Sequence, residues 1–396
     1  MTQVTIPHLA QIPAELRERL IQLRRDVHRN PELAFQEHET AAKIERALDG
    51  LDGVTVERVA DTGVVARVSG SGGGATIALR GDMDALPIHE ETELDYASQK
   101  PGVMHACGHD VHATWAVGAA SLLAANPAAG DVVVIFQPAE ESGHGAKKMI
   151  EAGVLDGVNC IFGGHVDRRF LVGQVVADPG PLGASADTFT IELRGSGAHA
   201  ARPHEAADPI VCGSQLVVSL QTIVARRLSP SAPAVLTVAT FNAGHATNVI
   251  PNAAMLTGTI RATDTDTRQR LIDEIEVMVE CVTAAHHVEG TVRFDVGPPP
   301  LLNDSKIAEL ARSVVRDVLG PDSLVPLGFT NMAAEDFADY LQAVPGCFLR
   351  IGAREEGGKV IPGHSPRFYA AEDAIFVGAA VLAECARRAS ANRDLA

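Results

Sequence analysis

The chain has no disulfide framework. Its six cysteines, Cys107, Cys160, Cys212, Cys281, Cys347 and Cys385, are scattered without paired spacing, which argues against a small secreted scaffold. It also lacks any long basic cluster: 33 Lys and Arg face 50 Asp and Glu, for a formal net charge of -17 and a pI near 5.3. That balance argues against a nucleic-acid partner. The opening stretch MTQVTIPHLAQIPAELRERL has no apolar leader core, and runs such as WAVGAASLLAA fall well short of a membrane span. An acidic cytoplasmic protein that does not cross a membrane is expected. There is no internal repeat, and no second C-x-x-C or H-x-x-x-H pair to complete a structural zinc tetrahedron.

What is present is a concentration of ligand-type side chains. MHACGHDVHATW, from Met104 to Trp115, packs one cysteine, three histidines and an aspartate just before an alanine-rich run. Cys107 and His109 flank Gly108, which lets a loop bend sharply enough for both to face one point. Thiolate and imidazole are the ligands that zinc-like ions prefer.

The length of 396 residues and 46% hydrophobic content suit two domains with cores of their own. ELRERLIQLRRDVHRNPEL and HETAAKIERALDGL read as outer helices. ATIALRGDMDALP is an apolar strand ending at Asp82 and Asp84, and DVVVIFQPAEESGHG is a β-branched strand that stops at Pro138 and then presents Glu140 and Glu141. CIFGGHVD is a third short apolar run, ending at His165 and Asp167. HATWAVGAASLLAAN and GAKKMIEAG supply helices among them. Such alternation indicates a mostly parallel, covered α/β sheet, whose ligands bind at the carboxyl ends of the strands.

Beyond about Ala184 the pattern becomes β-α-β-β-α-β: SADTFTIELRGSG, DPIVCGSQLVVSLQTIVARRL, AVLTVATFNAG, NAAMLTGTIRAT, DTRQRLIDEIEVMVECVTAAHH and GTVRFDVG. This is the split βαβ order of ferredoxin-like domains. The expected organisation is a catalytic α/β domain at 1–183 and 297–396 interrupted by an inserted α+β domain at 184–296. The return segment carries MAAEDFADYL, the strand GCFLRIG and the loop IPGHSPRF with His364.

Cys107, His109, Glu140, Glu141, His165 and His364, with Asp82 and Asp84 close by, are more than one ion needs. Two ions roughly 4 Å apart, bridged by a shared ligand and a water, could use five of them and leave a carboxylate for proton transfer. The expected reaction is hydrolysis of an acyl bond. An EES triplet is also an ordinary solvated turn, and the local sequence does not separate the two readings.

LRRDVHRNPEL, RGDMDALP, MHACGHDVH, FQPAEES, GGHVD, GSGAHAARPH, TNVIPNAAMLTGTIRA and GHSPRF resemble, in order and spacing, the metallo-amidohydrolases that include hippurate hydrolase, the plant auxin-conjugate hydrolases and bacterial N-acyl-amino-acid deacylases. The resemblance spans nearly the whole chain. It implies Cys107 as the bridging ligand, His109 and His165 on one ion, Glu141 and His364 on the other, and Glu140 as general base. Asp84 matches the acid that orients a ligand from behind, while Asp82 stands where more distant relatives place a histidine ligand and is not counted as one. His199 matches the histidine that reaches the scissile carbonyl, usually across a dimer interface. Asn248 and Arg261 match binders of the substrate carboxylate; by themselves they would read as a turn former and a salt-bridging surface residue.

The resemblance therefore implies a homodimeric hydrolase of N-acyl amino acids using two divalent ions, zinc, manganese or cobalt. A dipeptidase or aminobenzoyl-glutamate hydrolase on the same scaffold is the alternative. A catalytically silent metal-binding protein is disfavoured, because Glu140 stands intact beside the ligands.

Overall fold

The computed structural model describes residues 12–392 and 394. Residues 1–11, which carry part of the leader reading, lie outside the described residues. The chain forms two compact units: Met1–Gly180, Leu302–Gly328 and Asp336–Ala396 make the first, and Pro181–Leu301 with Phe329–Glu335 the second.

The first unit is built on a seven-stranded sheet whose four central strands, Val132–Gln137, Ile77–Asp82, Cys160–Leu171 and Gly346–Arg354, run parallel. Antiparallel strands flank them: Val54–Val59 and Gly63–Val68 on one side, Val175–Val176 on the other. All residues of Ile77–Asp82 and Val132–Gln137 are buried, as expected of strands covered on both faces. One face packs on the helices His109–Ala125 and Asp373–Ser390, with Ser305–Leu319 and Ala14–Arg29 outside them. The opposite face carries the short helices Gly145–Glu151 and Phe337–Ala343. His109–Ala125 is buried around almost its whole circumference, which its Ala- and Gly-rich sequence allows at close approach.

Register explains why the ligand-type residues meet. Asp82 pairs with Gln137, Arg80 with Gly163, and His165 with Arg350, so Gln137, Asp82, His165 and Arg350 stand level across the sheet. One expectation needs correction: the strand bearing His165 does not end there but continues to Leu171, 12 residues in all. His165 lies mid-strand because the ladder with Gly346–Arg354 carries on beyond it. The hairpin Val54–Val59/Gly63–Val68 carries no turn signal in the sequence. Its loop puts Ala60 and Asp61 at φ 48° and 67° without the Asn-Gly or Asp-Gly pair that usually marks such turns.

The second unit is a four-stranded antiparallel sheet in the order Ala234–Ala243, Ala253–Ala262, Asp187–Arg194, Glu289–Asp295, packed against helices Pro209–Thr222 and Thr265–Ala285. This is the β-α-β-β-α-β arrangement. Asp208 caps the first helix by accepting from the Ile210 and Val211 N–H groups, with Pro209 just inside; Asp264 caps the second through Thr267 N–H. Both follow the N-terminal preference for a short acceptor. A second correction concerns apolar length: Pro209–Arg227 is long and apolar enough, by length and composition, to cross a membrane. In this fold its inner side is taken up by the sheet, where Cys212, Leu216, Leu220 and Ile223 are buried.

Candidate active site

Cys107 and His109 straddle Gly108, which has φ 93° and opens the helix His109–Ala125. A Cβ at Gly108 would run into Val166, so both the backbone turn and the close packing require glycine there. Cys107 Sγ lies 3.1 Å from His165 Nε2. The other nitrogen of His165, Nδ1, donates to the Val166 carbonyl at 2.7 Å, which leaves Nε2 turned toward the thiol.

The strand Val132–Gln137 hands over to a 3-10 turn at Glu140–Ser142 through Ala139, which adopts φ 56°. A buried acid holds this turn: Glu37 accepts the Ala139 N–H at 2.9 Å and the Thr62 hydroxyl at 2.7 Å. The turn places Glu140 Oε2 and Glu141 Oε1 each 3.9 Å from His109 Nε2. His364, on an exposed loop anchored by its N–H to the Ala106 carbonyl, brings Nε2 to 3.3 Å from Glu141 Oε1. Asp84 ties these parts together, accepting from His109 Nδ1 at 3.0 Å and from the Glu141 N–H at 3.0 Å.

Among the groups of donor atoms that lie within 4.8 Å of one another, two contain the thiol: Cys107, His109 and His165, and Cys107, Glu141 and His364; His109 also groups with Glu140 and Glu141. Cys107 is common to both. Among the described residues His109 Nε2 is buried with no hydrogen-bond partner, and Glu141 Oε1 is buried with only the ion-pair contacts to His364 and His109, an arrangement that costs free energy unless something else fills the space between them. Thiol, imidazole and carboxylate donors around that space fit a pair of divalent ions.

Asp82 is engaged elsewhere. It takes an ion pair from Arg80 and a hydrogen bond from His112 Nδ1 at 2.6 Å, while His112 Nε2 accepts the Val166 N–H at 2.9 Å. Both His112 nitrogens are thus used, and this histidine is a support rather than a ligand. Arg80 also bonds Gln137 and Asp336, closing a buried chain of charges behind the donor sets. His112 and Arg80 both lie in quoted motifs, yet no spacing rule marks them as supports.

Electrostatics follow the packing. Burial pushes the Cys107 thiol up to about 12, with Glu141 adding to the effect. Burial opposes charge on His109, but Asp82, Cys107 and Asp84 outweigh it and hold the imidazole well above its usual range. His165 is driven well below that range by burial, His112 and Arg350, which leaves a neutral donor. Against burial, His364 and His109 hold Glu141 low.

The other three expected residues lie in the second unit. His199 is exposed, in the short strand Ala198–His199 that pairs with Val249–Ile250. Its Nδ1 accepts the Ala201 N–H at 3.1 Å, so Nε2 carries the ring proton. Asn248 is brought beside it, its carbonyl accepting the Ala200 N–H. Arg261, in the strand Ala253–Ala262, has no ion pair among the described residues.

Residues 78–388 match the family model described as Peptidase family M20/M25/M40. The chain is 41% identical over 380 residues to the N-acetyl-L-cysteine deacetylase of Bacillus subtilis (strain 168), covering 94% of this chain and 88% of that protein. It is 40% identical over 376 residues to IAA-amino acid hydrolase ILR1-like 4 of Arabidopsis thaliana, covering 93% and 85%. A Bacillus subtilis crystal structure described as a dinuclear metal binding peptidase from the M20 family superposes with a TM-score of 0.85 at 35% identity, covering 96% of this chain and 99% of that one. With the paired donor sets, these similarities establish that the chain belongs to the M20/M25/M40 peptidase family, as a metal-dependent hydrolase of amide bonds.

Proposed function

We propose that the protein hydrolyses N-acyl-L-amino acids to a carboxylic acid and a free amino acid. The observation that carries this reading is the pair of donor sets sharing Cys107, with Glu140 beside them. Cys107, His109 and His165 would hold one divalent ion, and Cys107, Glu141 and His364 the other. Zinc suits these donors, and manganese and cobalt are also compatible. Bound there, such ions polarise a carbonyl and acidify a water toward a pKa of about 7.

Glu140 takes the proton of the attacking water and returns it to the amine nitrogen as the C–N bond breaks. His199 donates from Nε2 to the carbonyl oxygen as negative charge develops. Asn248 and Arg261 receive the amino acid's α-carboxylate, Arg261 by charge-assisted hydrogen bonds. Asp84 fixes His109 from behind and holds the Glu141 backbone, as carboxylates behind metal-bound histidines do.

The inserted unit, 184–296 in the sequence reading, is proposed as a lid and dimerisation domain that lends His199 to the neighbouring copy. Val211 and Val218 on its helix Pro209–Thr222, and Phe241, whose ring lies against Gly213 of that helix, are exposed apolar side chains on one side of the unit that support such a face.

The test is a screen of acetyl-, benzoyl- and indoleacetyl-amino acids, their α-amides, and dipeptides with free amino termini, each with zinc, manganese or cobalt added back. Turnover of the acyl-amino acids over both other groups is expected. Preference for the dipeptides would replace this reading with a dipeptidase.

A further inference from the structure

Arg350 is the fourth of the residues standing level across the sheet, paired with His165 on the adjacent parallel strand. Parallel neighbours in register point to the same face, about 4.8 Å apart, so the Arg350 side chain leaves the sheet beside a donor of the first ion. Among the described residues it is a cation without an anion. Only 8% of the residue is exposed, its Nε is buried with no hydrogen-bond partner, and it forms no ion pair among the described residues. The ring of Phe348, 5.8 Å from the guanidinium carbon, offers a weak contact at most.

The acids on and beside these strands are already committed. Asp167, two residues after His165, is bound by Arg169 at 2.6 Å; Asp82 and Asp336 are bound by Arg80; Glu355 is bound by Arg168. Buried guanidinium groups are ordinarily paired, because leaving one unpaired is costly. Two divalent ions beside His165 would add positive charge and sharpen the need for an anion.

We infer that Arg350 receives a second carboxylate of the substrate, carried by the acyl chain, so that the preferred substrates are amino acids acylated by a short dicarboxylic acid such as a succinyl or glutaryl group. This rests on the proposed N-acyl-amino-acid reading, in which Asn248 and Arg261 already take the α-carboxylate. A planar, bidentate partner for a carboxylate is what a guanidinium provides best.

The test compares wild type with Arg350→Met and Arg350→Lys in the metal-loaded enzyme. N-succinyl-L-methionine and N-butyryl-L-methionine differ in a distal carboxylate replaced by methyl; N-acetyl-L-glutamate and N-acetyl-L-norvaline place the same difference on the amine side. Arg350→Met is expected to lower kcat/KM for the succinyl substrate at least about tenfold and leave the butyryl substrate within about threefold. Arg350→Lys should fall between them. Equal loss on succinyl and butyryl substrates would make Arg350 structural, and loss confined to acetyl-glutamate, with acetyl-norvaline unaffected, would move the second carboxylate to the amine side; either overturns the inference.

Calorimetric titration with succinate and butyrate gives a readout independent of turnover. Succinate should bind wild type at least about tenfold more tightly than butyrate, and the difference should vanish in Arg350→Met. Equal binding of the two by wild type also overturns the inference. If no acyl-amino acid is hydrolysed yet succinate still discriminates, the fault lies in the catalytic reading and not in Arg350.

Discussion

His112 accepts the Val166 N–H through Nε2 at 2.9 Å, and the carbonyl of that same Val166 accepts His165 Nδ1–H at 2.7 Å. One residue of the strand thus couples a supporting histidine to a proposed ligand. Behind His112 stand Asp82 and Arg80, both fully buried, so the orientation of His165 is set from the sheet interior.

Replacing His112 should therefore loosen the ion held by His165 more than the ion held by Glu141 and His364. In His112→Gln, metal analysis during stepwise dialysis against a chelator should show one ion leaving early, with affinity reduced about ten- to a hundredfold, the usual scale for supports behind a ligand. Parallel loss of both ions at the wild-type concentration would remove His112 from this role.

The two adjacent glutamates should separate in their effects. Glu140→Gln should keep both ions and lose at least about a hundredfold in kcat, the scale of general acid-base catalysis. Glu141→Gln should lose metal as well as activity, because its buried Oε1 lies between His109 and His364, 3.9 and 3.3 Å from their Nε2 atoms. Similar metal contents in the two variants would sink the division of roles.

Much of this was legible in the sequence because the chemistry is local. Cys107-Gly108-His109 and Glu140-Glu141 each bring their donors within two residues, and apolar strands lead up to the carboxylates. What escaped depends on register. His165 was readable as a candidate but not as a mid-strand residue, since only the ladder with Gly346–Arg354 shows that the strand continues. Arg350 sits in an ordinary-looking FLRIG strand, and its proximity to His165 exists only through that same ladder. Helix Asp373–Ser390 packs directly on the sheet, with Ser305–Leu319 against it, and no motif calls attention to either. His199 and Asn248 were legible through resemblance alone, because an exposed histidine and a turn asparagine carry no local signature.

Stability should depend on pH through Glu37. Its carboxyl is pushed from 4.5 up to about 7, chiefly by burial, with the Thr62 hydroxyl acting in the opposite direction. The folded protein then binds a proton more tightly than the unfolded chain. This contribution is fully present below about pH 4.5 and is lost as pH rises through about 7, a change of about 3 kcal/mol at most. Glu37→Gln keeps an acceptor for the Ala139 N–H and cannot ionise. Denaturation midpoints at pH 5 and pH 8 should show the variant gaining on wild type at the higher pH. Parallel curves would mean that Glu37 is not the group responsible.

A shared active centre makes a quantitative prediction about mixing. If the inserted unit lends His199 to the neighbouring copy, a complete centre needs Glu140 from one chain and His199 from the other. Glu140→Gln and His199→Ala homodimers should each be nearly inactive. Dissociated together and reassembled in equal amounts, about half the dimers should be mixed, by the statistics of a twofold assembly. One centre in each mixed dimer then has both defects and the other has none, so activity should recover to about a quarter of wild type. In a cis arrangement every centre of every dimer carries one defect, and mixing restores nothing. Native mass measurement confirms that mixed dimers have formed, and their presence without recovered activity would reject the exchange of His199 while leaving the donor sets around Cys107 untouched.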